Sequence, residues 1–424
     1  MTAHPPKPHP PKPHPRPVLD VDFARAQFPA FAEPTLAGRV FMENAGGSYA
    51  CRQVIDRLAR FYRARKVQPY YPFPASRAAG DEMDQARARL AALMGIEGDE
   101  LSFGPSTTAN TYVLAQAFRQ GLEPGAAIVV TDQDHEANSG PWRRLGDEGV
   151  EIREWRMDPA TGNLDPDRLA ALLADGRVRL VAFPHCSNVV GQVNPVATIA
   201  AMAHAAGAFV CVDGVSYAPH GLPDLPSLGA DIYLFSAYKT YGPHQGIMAI
   251  RRDLARRLPA QGHYFNADVA YKRFTPAGPD HAQVAACAGI ADYIDALDAH
   301  HFDDPAPPLA RAARVHDLMR DHEIALMAPL CDWLKGRSDL RLLGPSAPQG
   351  RAPTFAVDLG RDPLPVVAAL AGQGIDAGAG HFYAVRALRA LGVDPDQGVL
   401  RLSFTHYTTT DDIARLMAAL EAVL

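Results

Sequence analysis

Ile232-Tyr233-Leu234-Phe235-Ser236-Ala237-Tyr238-Lys239-Thr240-Tyr241-Gly242-Pro243 is the stretch on which the fold turns. Its first four residues are apolar without alternation, the pattern of a strand covered on both faces; the run then stops in hydroxyls, an amine and a Gly-Pro turn. Four further runs share that character: Ala126-Ala127-Ile128-Val129-Val130, Leu180-Val181-Ala182-Phe183, Phe209-Val210-Cys211-Val212 and Ile247-Met248-Ala249-Ile250. Between the second of these and the third, Ile199, Met202, Ala203 and Ala206 recur at helical spacing, and Gly207 follows as a helix stop. Strand, helix and strand in this rhythm make an α/β chain with a mainly parallel central sheet.

Working outward, the runs give way beyond about Pro259 to helical patterns, notably over 284–297 and 309–334. At the end, Thr408-Thr409-Thr410-Asp411-Asp412 reads as a threonine N-cap with acidic residues that suit the helix dipole. Ile413, Leu416, Met417, Leu420 and Leu424 then form one apolar stripe. We expect a large domain over residues 46–302, a smaller α/β domain over 303–424, and a segment over 18–45 that packs with the smaller one. Residues 1–17 are a Pro/His/Lys repeat that favours an extended, disordered tail.

The bulk properties set the class of partner. A chain of 424 residues exceeds one ordinary core, and 47% hydrophobic with 21% charged residues is average for a globular protein. The net charge of -6, with both signs interleaved, offers no basic stripe for nucleic acid or an anionic membrane. Cys51, Cys186, Cys211, Cys287 and Cys331 stand singly, without CxxC spacing, and read as reduced thiols. No run approaches the ~18–20 apolar residues of a membrane span, and no apolar signal-peptide core opens the chain. A cytoplasmic protein acting on small molecules is the expectation, with no metal, nucleic acid or membrane partner.

Open α/β sheets bind ligands beyond the carboxyl ends of their strands, so the residues after each run carry the function. Asp134-His135 follows the first run, Ser187-Asn188 the second, Asp213-Gly214-Val215-Ser216 the third and Ser236-Ala237-Tyr238-Lys239 the fourth. An imidazole, a carboxamide, a carboxylate and an amine thus reach one edge. A pyridine-ring cofactor needs that set. A carboxylate such as Asp213 keeps the ring nitrogen protonated, so that the ring accepts electrons from a carbanion. An imidazole such as His135 stacks on the ring, and Lys239 supplies an amine made nucleophilic by a desolvating or cationic site. Gly104-Pro105-Ser106-Thr107-Thr108-Ala109-Asn110, before the helical stretch 111–118, offers free N–H groups and hydroxyls for a phosphate, with Ser236 across from it. Singly, each piece has a plainer reading as a cap, a turn residue, a structural histidine or a surface lysine. Their placement at successive strand ends favours the site. No G-x-G-x-x-G turn opens the sheet, which sets aside a nicotinamide-dependent dehydrogenase.

Seven segments in order carry a resemblance: Phe41 to Gly47, Ser106-Thr107-Thr108, Asp134 to Asn138, Ser187 to Gly191, Val212-Asp213-Gly214, Phe235 to Lys239 and Leu400 to Tyr407. Over nearly the whole chain beyond the tail, the sequence resembles the aminotransferase class V family, in its cysteine-desulfurase-like branch. The resemblance implies fold type I of the pyridoxal 5'-phosphate (PLP) enzymes, a homodimer with sites at the subunit interface, and PLP held as a Schiff base by Lys239. By the same resemblance Asp213 partners the pyridine nitrogen, His135 stacks on the ring, and Thr107, Thr108 and Ser236 bind the phosphate beside Ser106. Asn188, Ser216 and Tyr238 fall to the cofactor as well. Arg401 grips the substrate carboxylate, a task suited to a planar guanidinium, with Asn44, His381 and Tyr383 on the substrate side.

The departures from the family bear on the reaction. Ala377 to Ala384 matches the loop in which desulfurases carry a persulfide-forming cysteine, and Tyr383 stands in its place; an arginine usual in that loop is absent near Gly378. Ser216 replaces a glutamine. Ala277-Gly278-Pro279-Asp280-His281 lacks the threonine that reaches a neighbouring subunit's phosphate, leaving Gly278 N–H or His281 for that contact. We expect an enzyme acting at the α-carbon of an amino acid or amine, an aminotransferase or Cβ-lyase without a persulfide-forming cysteine. Desulfurase-like sulfur transfer, epimerisation and a non-catalytic PLP-fold binding protein are the alternatives.

Overall fold

The computed structural model describes residues 17–424, so all of the Pro/His/Lys tail but Pro17 lies outside the described residues. The strands are β1 (Val40–Phe41), β2 (Leu101–Gly104), β3 (Ala127–Thr131), β4 (Glu151–Trp155), β5 (Val178–Pro184), β6 (Phe209–Asp213), β7 (Ile232–Ser236), β8 (Gly246–Ile250), β9 (Arg341–Leu343), β10 (Thr354–Asp358), β11 (Ile375–Asp376), β12 (Gly378–Gly380) and β13 (Val399–Ser403). Seven of them form a sheet in the order β2-β8-β7-β6-β5-β3-β4. From β4 to β7 the neighbours run parallel, and β8 is antiparallel to both β7 and β2.

All five apolar runs are strands of this sheet, and the side-chain period of two explains why they lack polar alternation. Val210, Val212, Tyr233 and Phe235 point to one face, where Ile199 and Ala203 of the helix Val196–Ala205 cover them. Cys211, Ile232 and Leu234 point to the other, against Leu114, Phe118 and Trp142. Burying a side chain such as Phe235 stabilises the fold by about 1.5–3 kcal/mol, so each strand is pinned in register from both sides. Two strands were not anticipated. β2 is short, and β4, Glu151-Ile152-Arg153-Glu154-Trp155, is charged because it lies at the sheet edge.

A second sheet, β12-β13-β10-β9, is antiparallel, and β1 pairs in parallel with β11 through Val40↔Ile375 and Phe41↔Asp376. Val40 and Met42 share a core with Phe355, Leu400, Leu402 and Leu416, so the chain's beginning packs on its end. The terminal helix Thr410–Val423 is capped by Thr409 in a reciprocal box with Asp412. The stretch over 284–297 is divided between the helices His281–Ala286 and Ala288–His301, which meet at Cys287, whereas that over 309–334 is one helix, Pro308–Lys335. Among the described residues no helix is long and apolar enough to cross a membrane, and no group of three or more His, Cys, Asp or Glu side chains is arranged to hold a metal ion.

Candidate active site

Because β6 and β7 are parallel neighbours, with Asp213 opposite Leu234, their carboxyl ends open on the same edge. The chain leaves β7 through a single 3-10 turn, Ala237–Lys239, and that turn holds the Lys239 side chain at the edge with only 8% of it exposed. A cavity of about 170 Å³ lies there. Ser106, Thr107, Thr108, His135, Asn188, Asp213, Ser216, Ser236, Tyr238 and Lys239 all line it, brought together from four strand ends and one helix N-terminus. Ala137, Pro184, Cys186 and Val215, which lie in the strand-end stretches without an assigned role, also line it, and so does His244, which the sequence did not mark and whose ring stacks on Tyr238 at 5.0 Å. Gly278 lies elsewhere, lining a separate cavity with Gly104 and Asn110.

Burial, reinforced by the Arg401 charge, brings the Lys239 ammonium down to about 8. Burial raises the Asp213 carboxyl to about 6 against the backbone bond from Val215, whose N–H donates to Oδ1 at 2.8 Å. His135 is pushed down to about 3, by burial and then by Lys239 and Arg401, and is therefore neutral. Its Nδ1 accepts from the N–H of Ala137 at 3.0 Å, which fixes the ring as the N-cap of the helix Glu136–Arg143. The plain reading of His135 as a structural histidine thus holds for a side chain that also lines the cavity.

The helix Thr107–Gly121 opens on the cavity, with Ser106 as its N-cap accepting from Ala109 N–H at 3.1 Å. The Thr107 and Ser236 hydroxyls lie 2.7 Å apart, joining that helix to the end of β7. β8 passes so close beneath the loop that a Cβ on Gly246 would strike the Ser106 backbone, and glycine is required there. First-turn N–H groups, hydroxyls and the dipole make this the anion end of the cavity.

The residues expected on the substrate side, Asn44, His381, Tyr383 and Arg401, do not line this cavity; Arg401 of β13, only 3% exposed, lies close enough for its charge to act on Lys239 and His135. Its Nη2 lies 2.6 Å from Glu43 Oε1, its Nη1 donates to Asn188 O at 3.3 Å, and Phe382 covers the guanidinium face at 3.8 Å. Glu43 was not singled out from the sequence, although it sits inside the segment Phe41 to Gly47. Asn188 Nδ2 donates to Phe382 O at 2.9 Å while its Oδ1 is buried without a partner. Phe382 and Tyr383 both hold left-handed backbone, at φ 49° and 56°, a strained pairing for two aromatic residues. Glu136 N–H donates to Tyr383 O at 2.8 Å, and Tyr383 N–H to His381 Nδ1 at 3.1 Å, so the turn is anchored. Tyr383 is 68% exposed, its ring centre 5.4 Å from that of His135, which lines the cavity. Asn44 is buried, accepting from the Tyr407 hydroxyl and donating to Ser403 O. The five cysteines are all free and buried, and burial pushes the Cys186 thiol up to about 12.

The fit to a phosphorylated pyridine is direct. An anion site, a buried carboxylate, a neutral ring and an amine surround one cavity, and an orphaned Asn188 oxygen awaits a donor. Residues 40–416 match the family model Aminotransferase class-V. The chain is 31% identical over 418 residues to an aminotransferase-like protein of Gibberella zeae, across 95% of this chain and 98% of that one. It is 30% identical over 422 residues to a cysteine desulfurase of Serratia proteamaculans, with the same coverage of 95% and 98%. Among solved structures, the cysteine desulfurase CsdA of Escherichia coli matches with a TM-score of 0.80 and 25% identity, over 96% of this chain and 98% of that one. The apo cysteine desulfurase of Thermococcus onnurineus shares the fold with a TM-score of 0.82 at 21% identity, over 96% of this chain and 98% of that one. This chain therefore belongs to the aminotransferase class-V family and is a PLP-dependent enzyme of fold type I.

Proposed function

We propose that the enzyme acts at the α-carbon of an amino acid or amine, as an aminotransferase or Cβ-lyase that forms no protein persulfide. The observation that carries this reading is the meeting of amine, carboxylate and imidazole in one cavity while Tyr383, not a thiol, stands on the loop beside His135. PLP, when bound, supplies an electron sink for negative charge at the substrate α-carbon. Lys239, its amine brought down to about 8, is a base near neutral pH and takes the α-proton. Asp213 spends Oδ1 on Val215 and keeps Oδ2 for a protonated ring nitrogen. Neutral His135 offers its face for stacking. Thr107, Thr108 and Ser236 hold the phosphate, Asn188 the cofactor hydroxyl, and Ser216 and Tyr238 the walls. Arg401 receives the substrate carboxylate, and a second copy of the chain brings its Gly278 region to the phosphate.

Several relatives bear the name cysteine desulfurase. Sulfur transfer needs an accessible thiolate, and the cysteine lining the cavity is buried with its thiol raised to about 12. The test is reconstitution with PLP, followed by an amino-acid panel assayed separately for pyruvate, ammonia, sulfide and pyridoxamine phosphate. Ammonia with a keto acid, or pyridoxamine phosphate, is the expected product. Sulfide with a persulfide on any native cysteine would overturn the proposal, as would a chain that takes up no PLP.

A further inference from the structure

The substrate end of the site carries a charge that the chemistry above leaves unused. Glu43 Oε1 pairs with Arg401 at 2.6 Å, but Glu43 Oε2 is buried with no hydrogen-bond partner, and so is Arg401 Nε. Room for this carboxylate is built into the backbone. A Cβ on Gly378 would lie 2.9 Å from Glu43 Cδ, and one on Gly46 would lie 2.7 Å from Oε1. Gly378 stands near the position of the loop arginine usual in related proteins, so no loop cation faces the Glu43 carboxylate there. Phe382, stacked on the guanidinium, closes the opposite side.

Charge balance then restricts the substrate. Arg401 and Glu43 together are neutral, and a simple carboxylate arriving on Arg401 would place two anions on one buried guanidinium, an uncompensated charge in a low-dielectric site. A substrate that brings a second cation cancels it. That cation is not the α-amino group, which is consumed at the cofactor. We infer that Glu43 is a specificity-determining residue and that the site takes an amino acid with a cationic side chain, carrying an amino, amidino or guanidino group. The carboxylate shares Arg401 through its unpartnered Nε, and the side-chain cation meets the unpartnered Glu43 Oε2 as the two groups enter this buried pair. This inference rests on the proposed reading in which Lys239 holds PLP and Arg401 receives the substrate carboxylate.

The experiment uses the full chain reconstituted with PLP, whose visible absorbance band is recorded first. Arginine and citrulline, matched in length and differing in charge, are then titrated by rapid-mixing absorbance, with lysine and norleucine as a second pair. The cationic member of each pair should bind at least about tenfold more tightly. Glu43→Gln should cut that preference to within about threefold without changing the band, and Glu43→Asp, which keeps the charge, should retain most of it. Equal binding of both members by the unaltered enzyme overturns the assignment. So does a Glu43→Gln or Glu43→Asp variant that tightens both members alike, because Glu43 would then only compete for Arg401. A chain without the visible band overturns the reading beneath; a band with equal affinities overturns Glu43 alone.

Discussion

At the cofactor end of the site Asp213 and Lys239 follow buried strands of one sheet, whereas at the substrate end Glu43 and Arg401 meet across 358 residues of sequence. The first end is made of hydroxyls, helix N–H groups and a neutral ring; the second is an ion pair sealed under Phe382. Strand termini of a parallel sheet converge whatever their chemistry, so the first end tolerates change one group at a time. The second rests on β13 and an isolated bridge from Glu43 to Ser403. Its two charges hold each other, and altering one leaves the other buried without a partner.

The comparison is broken most severely at the lysine. Lys239→Ala should lower turnover of any accepted amino acid by at least about 1,000-fold, measured by single-turnover kinetics, while PLP still binds through the anion site. Asp213→Asn should cost on the order of 100-fold in kcat with little change in unfolding midpoint, since the isosteric amide keeps the Val215 bond. Arg401→Met should act on stability as well as weaken substrate binding. Glu43 is left unpaired, and urea unfolding should show a loss of about 2 kcal/mol, below the ~3–5 kcal/mol of a fully buried pair because 27% of the Glu43 side chain is exposed.

Acidity sharpens the contrast further. Lys239 is brought down to about 8, so the free amine dominates above that pH and the ammonium below it. Capture of PLP by the cofactor-free protein, followed by stopped-flow absorbance, should therefore slow about tenfold per pH unit below ~8 and level off above. Gly378→Ala should have the smallest effect on stability, under about 1 kcal/mol by thermal unfolding, because the added methyl meets the end of a flexible side chain. It should nonetheless displace Glu43 and alter the ranking of cationic and neutral amino acids.

What was legible from the sequence follows the same divide. The apolar runs gave β3 and β5 to β8, because a strand covered on both faces must be continuously apolar. The groups at their ends were visible for the same reason, and the cavity collects His135, Asn188, Asp213, Ser216, Ser236, Tyr238 and Lys239 from among them. β4 escaped because an edge strand needs no apolar face on the solvent side, and β2 because four residues carry too little pattern. Glu43 lay in a segment that was noticed for its neighbours, but an acidic residue gives no sign of the guanidinium it will meet through tertiary pairing. Tyr383 was marked as standing on the loop where relatives carry a cysteine; its strained backbone and its distance from His135 are properties of the folded turn.

The pairing of β1 with β11 sets an order of events during synthesis. Val40 is synthesised 335 residues before its ladder partner Ile375. Contacts that distant pay a loop-closure cost that the adjacent strands of the large sheet do not, and domains fold as units from the N-terminal side. A nascent chain thus holds every strand of the large sheet before Arg401, the partner that Glu43 awaits, has been made.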